Sequence, residues 1–162
     1  MNNLNGLKIL FLFLIAFALQ VSVASWLSIF DISPDLVIIF VVAVAIKFGP
    51  AAGCFWGFMA GFTQDVYQPV EWLGANAIAM TVVGFLVGQL EEKLLTLNTP
   101  AKVGVLALAF YVCDMIYYGV TGLSREIITN LFLTKSVPAG IYTLFIGSLL
   151  FYLDRGKKKR HG

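Results

Sequence analysis

Charge is what this sequence has least of. Only 12% of its 162 residues are Asp, Glu, Lys or Arg, while 59% are hydrophobic and mean hydropathy is +0.88. Soluble domains carry roughly a quarter charged residues, so an ordinary water-exposed surface is excluded. Histidine occurs once, as His161, and cysteine twice, as Cys54 and Cys113. With no Cys-x-x-Cys pair and no histidine beside either thiol, the chain offers no metal-ligand set and no disulfide framework. Both cysteines lie in apolar runs and read as small buried hydrophobes. A His-Glu-x-x-His motif is absent, and Gly122-Leu123-Ser124-Arg125 presents a serine without a base. Nothing in the sequence asks for a cofactor.

Long apolar runs are present instead. A helix needs about 20 such residues to cross ~30 Å of hydrocarbon. The runs predict an all-α integral membrane protein of one domain, with six helices at residues 9–30, 34–47, 50–67, 73–90, 102–120 and 137–153, then a basic tail over 154–162. The second run is short enough to fit either a full crossing or a re-entrant segment. Lys8 and Ser22-Val23-Ala24 resemble a cleavable secretory signal, but the apolar run continues to Phe30, which favours a retained first helix.

Basic residues then orient the bundle. With six crossings, Lys8, Lys47, Lys93, Lys102, Arg155, Lys157, Lys158, Lys159 and Arg160 share one side and only Arg125 and Lys135 take the other. Nine against two places both termini in the cytoplasm by the positive-inside rule. Trp26, Tyr67, Trp72 and Tyr117 fall near the outer interface, where amphipathic rings belong, and the acids Asp31, Asp35, Asp65 and Glu71 also face outward. The tail reads as an orientation signal rather than a regulatory lipid site, with His161 solvated in it.

Polar groups inside the apolar runs are costly and therefore informative. Asp114 lies twelve residues beyond Lys102, roughly 18 Å along a helix and past the midplane. It must face the bundle interior, either as a structural hydrogen bond between helices or as a working acid. Asp65 closes the third run, with Gln64 beside it and Asn76 at the start of the fourth. The bland reading of Asp65 is a helix cap; the sharper one joins these four residues in a polar site. Lys47 is expected to snorkel to the cytoplasmic interface.

Glycine is arranged rather than scattered. Gly53, Gly57 and Gly61 stand four apart on one helix face, and Gly84 and Gly88 repeat the spacing in the next helix. In lipid such ladders admit a neighbouring backbone. The ladders predict either packing of these two helices on each other or a groove for a partner helix.

Taken in order, Pro34-Asp35-Leu36, Lys47-Phe48-Gly49-Pro50, Gly53, Gly57-Phe58, Gly61 and Asp65 resemble the rod shape-determining protein MreD family. Leu73-Gly74, Asn76, Thr81, Gly84 and Gly88 are similar to its fourth-helix pattern, and Asp114 to an acid of its fifth helix. The loop Tyr67-Gln68-Pro69-Val70-Glu71-Trp72 departs from it, being bulkier than a short glycine-serine turn.

The resemblance implies a multi-pass protein of the bacterial inner membrane without catalytic activity. It further implies direct binding of MreC within the elongasome, beside MreB, RodA and a class B penicillin-binding transpeptidase. Membrane lipids are implied as partners and nucleic acid is not. In layout the family also resembles the substrate-binding subunits of energy-coupling factor transporters, a likeness of fold that does not carry function. Two other readings start from the residues. A small-molecule carrier subunit would use Gln64, Asp65, Asn76 and Asp114. An intramembrane aspartyl protease would pair Asp65 with Asp114, though neither sits in a Gly-x-Gly-Asp setting.

Overall fold

The computed structural model describes residues 3–27, 34–90 and 98–158. Phe30, Asp31, Ser33, Lys93, Lys159, Arg160 and His161 lie outside the described residues, as do the side chains of Trp26, Arg155, Lys157 and Lys158.

Helix is the only regular structure among the described residues. In order they form α1 (Asn3–Leu27), α2 (Leu36–Asp65), a 3-10 turn (Val70–Trp72), α3 (Ala75–Gln89), α4 (Thr99–Thr121), α5 (Arg125–Leu131), a π turn (Phe132–Ser136) and α6 (Val137–Lys158). Four helical segments are long and apolar enough to cross a membrane: Leu36–Asp65, Val70–Gln89, Thr99–Thr121 and Arg125–Leu153, with Gly6–Ser22 a shorter apolar helix. The last of the four joins α5, the π turn and part of α6, so the chain is already helical well before Val137. Residues 125–136 were not expected to be helical, because Arg125 and Lys135 interrupt the apolar run that the sequence reading followed.

α2 is not straight. Gly49 has φ 82° and ψ −173°, a backbone conformation open essentially to glycine alone, and Pro50 follows it. Glycine ends the first arm at 36–48, and proline, whose missing N–H costs nothing at a helix start, opens the second at 50–65. The arms fold back on each other. The Gln64 side-chain amide donates to Asp35 Oδ1 at 3.3 Å, although the two residues are 29 positions apart. Any non-glycine residue at position 49 would strain this reversal.

The first arm, rich in Val and Ile, is a modest helix former in water. Here its backbone groups have no water to turn to, and only helix satisfies them. It runs through the centre of the bundle, with Val37 to Val42 and Val44 to Ile46 buried. Phe13 of α1 packs at 5.6 Å from the Phe40 ring and 5.5 Å from Trp56 of the second arm. On the far side Leu106 of α4 and Ile39 approach Gly147 of α6. Since lipid is as apolar as these side chains, close van der Waals packing rather than escape from water holds the layers together.

Candidate functional site

The second arm of α2 and α3 run antiparallel with their backbones in contact. Gly53 faces the Gly84 carbonyl and Gly84 faces that of Gly53; Gly57 faces the Met80 carbonyl, Gly61 that of Asn76, and Gly88 meets Pro50. A methyl at Gly57 would lie 2.8 Å from the Met80 carbonyl carbon, and one at Gly61 2.6 Å from the Ala77 Cα. Real side chains do not tolerate such distances, so this approach exists only because Cβ is missing. All five glycines are used within the chain, and α3 occupies the groove that a partner helix would need.

Asp65 locks the loop end of this seam, remote from Gly49. It is fully buried, and its carboxylate accepts from the backbone N–H of Gly74 at 3.0 Å, Asn76 at 3.0 Å and Ala77 at 2.9 Å. A helix start leaves N–H groups without partners and carries partial positive charge, and an anion answers both. Gly74, with φ 96°, offers no side chain for the purpose. Asp65 therefore caps the helix that follows its own, across the Val66–Gly74 loop. Asn76 contributes its main chain to this cap, through an N–H to Asp65 and a carbonyl against Gly61.

A second knot surrounds the start of α2. Asp35 Oδ1 accepts from the N–H groups of Val37 at 2.9 Å and Ile38 at 3.0 Å, a side-chain cap of the ordinary kind. Its own N–H donates to the Thr143 hydroxyl of α6 at 2.9 Å. Gln20 of α1 reaches the same turn: its Oε1 accepts from Leu36 N at 2.7 Å and its Nε2 donates to the Pro34 carbonyl at 3.2 Å. Asp114, half-buried on α4, hydrogen-bonds Ser136 and lies close enough to Asp35 for their charges to interact. Tyr118 shares Ser136 at 3.0 Å.

These groups form one layer at a definite depth. Gln20, Asp35 and Asp114 each stand twelve residues from a lysine, namely Lys8, Lys47 and Lys102. At 1.5 Å per residue the layer lies roughly 18 Å from the lysine level, inside a hydrocarbon core of about 30 Å. Lys47 is exposed at the opposite end of the first arm from Asp35, its Nζ 5.9 Å from the Phe48 ring centroid. It does not reach the acids. The layer thus joins α1, both arms of α2, α4 and α6 through uncharged or backbone donors.

Sequence reading had singled out Gln64, Asp65, Asn76 and Asp114 but passed over Gln20, Ser136, Tyr118 and Thr143. Each of these is an uncharged polar residue outside any motif, a signal that a search for charges does not register. Thr143 is fully buried and Ser136 buried. Cys54 and Cys113 are free thiols, the second buried.

A family model described as rod shape-determining protein MreD matches residues 1–153 of the 162-residue chain. No curated protein and no solved structure matches it. With nearly the whole chain covered and several membrane-length helices in the fold, this protein belongs to the MreD family and is a rod shape-determining membrane protein.

Proposed function

We propose that this protein is a non-catalytic scaffold of the bacterial inner membrane. In this reading it binds MreC directly and supports lateral peptidoglycan synthesis in the elongasome, beside MreB, RodA and the class B penicillin-binding transpeptidase. The observation that carries the non-catalytic part is how the buried acids are used. Asp65 gives both oxygens to the start of α3, Asp35 caps α2, and Asp114 bonds Ser136. An aspartyl dyad needs two carboxyls sharing one proton, whereas Asp65 and Asp114 are each engaged elsewhere. A carrier site built on Gln64, Asp65, Asn76 and Asp114 meets the same difficulty, since Asp65 holds the start of α3, Gln64 bonds Asp35 and Asp114 bonds Ser136. With the glycine seam filled by α3, a membrane helix of MreC would seat on an outer face of the bundle.

The experiment that tests the scaffold reading is substitution of Asp114. Asn at position 114 keeps the shape and a hydrogen-bond acceptor for Ser136, so Asp114→Asn is expected to restore rod shape in a strain lacking the protein and to retain MreC on co-purification. Asp114→Leu removes one partner of the buried Ser136 hydroxyl and leaves it only Tyr118, a lost hydrogen bond of about 0.5–1.5 kcal/mol, and is expected to lower the amount of folded protein. A well-expressed Asn variant that fails to restore rod shape would show that the ionisable acid itself is needed, and would sink the passive scaffold.

For topology, the same proposal counts α1 and both arms of α2 with α3, α4 and α6 as six crossings, leaving both termini cytoplasmic. A reporter that is active only in the periplasm is expected to stay silent at the C-terminus. Activity there would overturn the count and the orientation together.

A further inference from the structure

Neither the seam nor the scaffold role uses the loop between α2 and α3. Its height follows from the helices beneath it. Lys47 is exposed at the lysine level, Asp35 lies about 18 Å above it, and the second arm, residues 50–65, rises about 24 Å at 1.5 Å per residue. The loop therefore begins roughly 6–12 Å short of the far boundary of a ~30 Å hydrocarbon core. A loop at that depth must satisfy its own backbone, because lipid offers no partners.

It does so. The N–H groups of Val66, Tyr67, Gln68, Trp72 and Leu73 donate to the carbonyls of Phe62, Gln64, Asp65, Pro69 and Val70, and that of Gly74 to the Asp65 carboxylate. The 3-10 turn Val70–Trp72 rests against α4. The side chains turned outward are apolar: Val66, Tyr67, Val70 and Leu73 are all more than half exposed, with Val70 at 84%. Gln68 and Glu71, also exposed, are the polar members. Apolar tips on a loop whose N–H groups are mostly paired within the chain suit contact with lipid better than contact with water. At such an interface the Trp72 ring and the Glu71 carboxylate lie at the headgroups.

We propose that the Val66–Leu73 loop is immersed in the leaflet opposite Lys47 and Lys102, with Val66, Tyr67, Val70 and Leu73 seated among acyl chains, so that its partner is lipid. The loop then completes the crossing that two short arms leave unfinished, and anchors the glycine seam at a fixed depth. The inference rests on the membrane fold and not on the scaffold reading.

The test is collision accessibility of a nitroxide on Val70→Cys, made with Cys54→Ala and Cys113→Ala and reconstituted in phosphatidylethanolamine–phosphatidylglycerol vesicles. Oxygen, which concentrates in acyl chains, is expected to dominate over a water-soluble nickel chelate at position 70, as at Ile78→Cys on the exposed face of α3. The chelate is expected to dominate at Glu126→Cys. Tyr67→Cys provides a second loop site with the same expectation. Dominance of the chelate at 70 and 67 would put the loop in water, and shielding from both reagents would mean a protein contact covers it. Either result overturns the proposal.

Discussion

Leucine at Gly61 is expected to leave little or no folded protein in the membrane. Ordinary helix pairs stand 8–10 Å apart, but here a Cβ at Gly61 alone would meet the Ala77 Cα at 2.6 Å and overlap the Asn76 carbonyl. The obstacle is backbone and cannot rotate away. Moving α3 would also disturb the Asp65 cap next to Gly61 and the Gly53–Gly84 and Gly88–Pro50 contacts along the same seam. Overpacking a core with movable side chains costs about 1–3 kcal/mol, and this site should exceed that range. The measurement is monodisperse yield in detergent together with the thermal unfolding midpoint. Gly104→Ala and Gly119→Ala serve as controls, because a Cβ at either meets nothing within 4 Å. They should be neutral, or stabilising by about 0.5–1 kcal/mol from the reduced backbone entropy of alanine. If Gly61→Leu matches the controls in yield and midpoint, the close approach of α3 is wrong.

Asp65→Asn is expected to destabilise the protein severely, in contrast to the tolerated Asp114→Asn. Both replacements conserve volume, so the difference lies in hydrogen-bond polarity. Both Asp65 oxygens face donors only: Gly74 N and Ala77 N on one, Asn76 N on the other. An asparagine must turn its own NH2 toward at least one of them, leaving donor against donor at a fully buried site. It also removes the negative charge that offsets the helix start. Each unsatisfied buried group costs about 1–3 kcal/mol, so the clash of two donors should cost about 2–6 kcal/mol, a large part of a stability of about 5–15 kcal/mol. Asp114 has the Ser136 hydroxyl as its partner, and a hydroxyl can reverse donor and acceptor roles. The check is the unfolding midpoint of the two Asn variants in the same lipid. Equal midpoints would mean that Asp65 is not the anion holding α3.

Some of this was legible without coordinates because it depends on near neighbours. A backbone in lipid must satisfy itself within its own segment, so apolar runs in this chain could hardly be other than helix, even where Val37 to Val44 would favour strand in water. Gly49-Pro50 marks a helix end and a helix start by local chemistry alone. The four-residue glycine spacing places Gly53, Gly57 and Gly61 on one face for the same reason. Residues 125–136 escaped that logic, since Arg125 and Lys135 bar a continuous apolar run but do not bar a helix.

What the sequence could not contain was the choice of partner. Gly53 met Gly84 rather than an outside helix because the reversal at Gly49 and the Asp65 cap bring α3 alongside the second arm in one register. Gln20 and Thr143 have no charge and no motif, and they became part of the polar layer only when three separate helices brought them to the same turn at Asp35. By itself the sequence determined that the chain is a helical membrane protein with a few costly polar groups and a face stripped of side chains. The tertiary structure decided which N–H each acid holds and what lies against that face. The physical reason is range: helix formation and burial in lipid are settled within a few residues, whereas a hydrogen bond or a backbone contact between helices depends on how distant segments are placed in space.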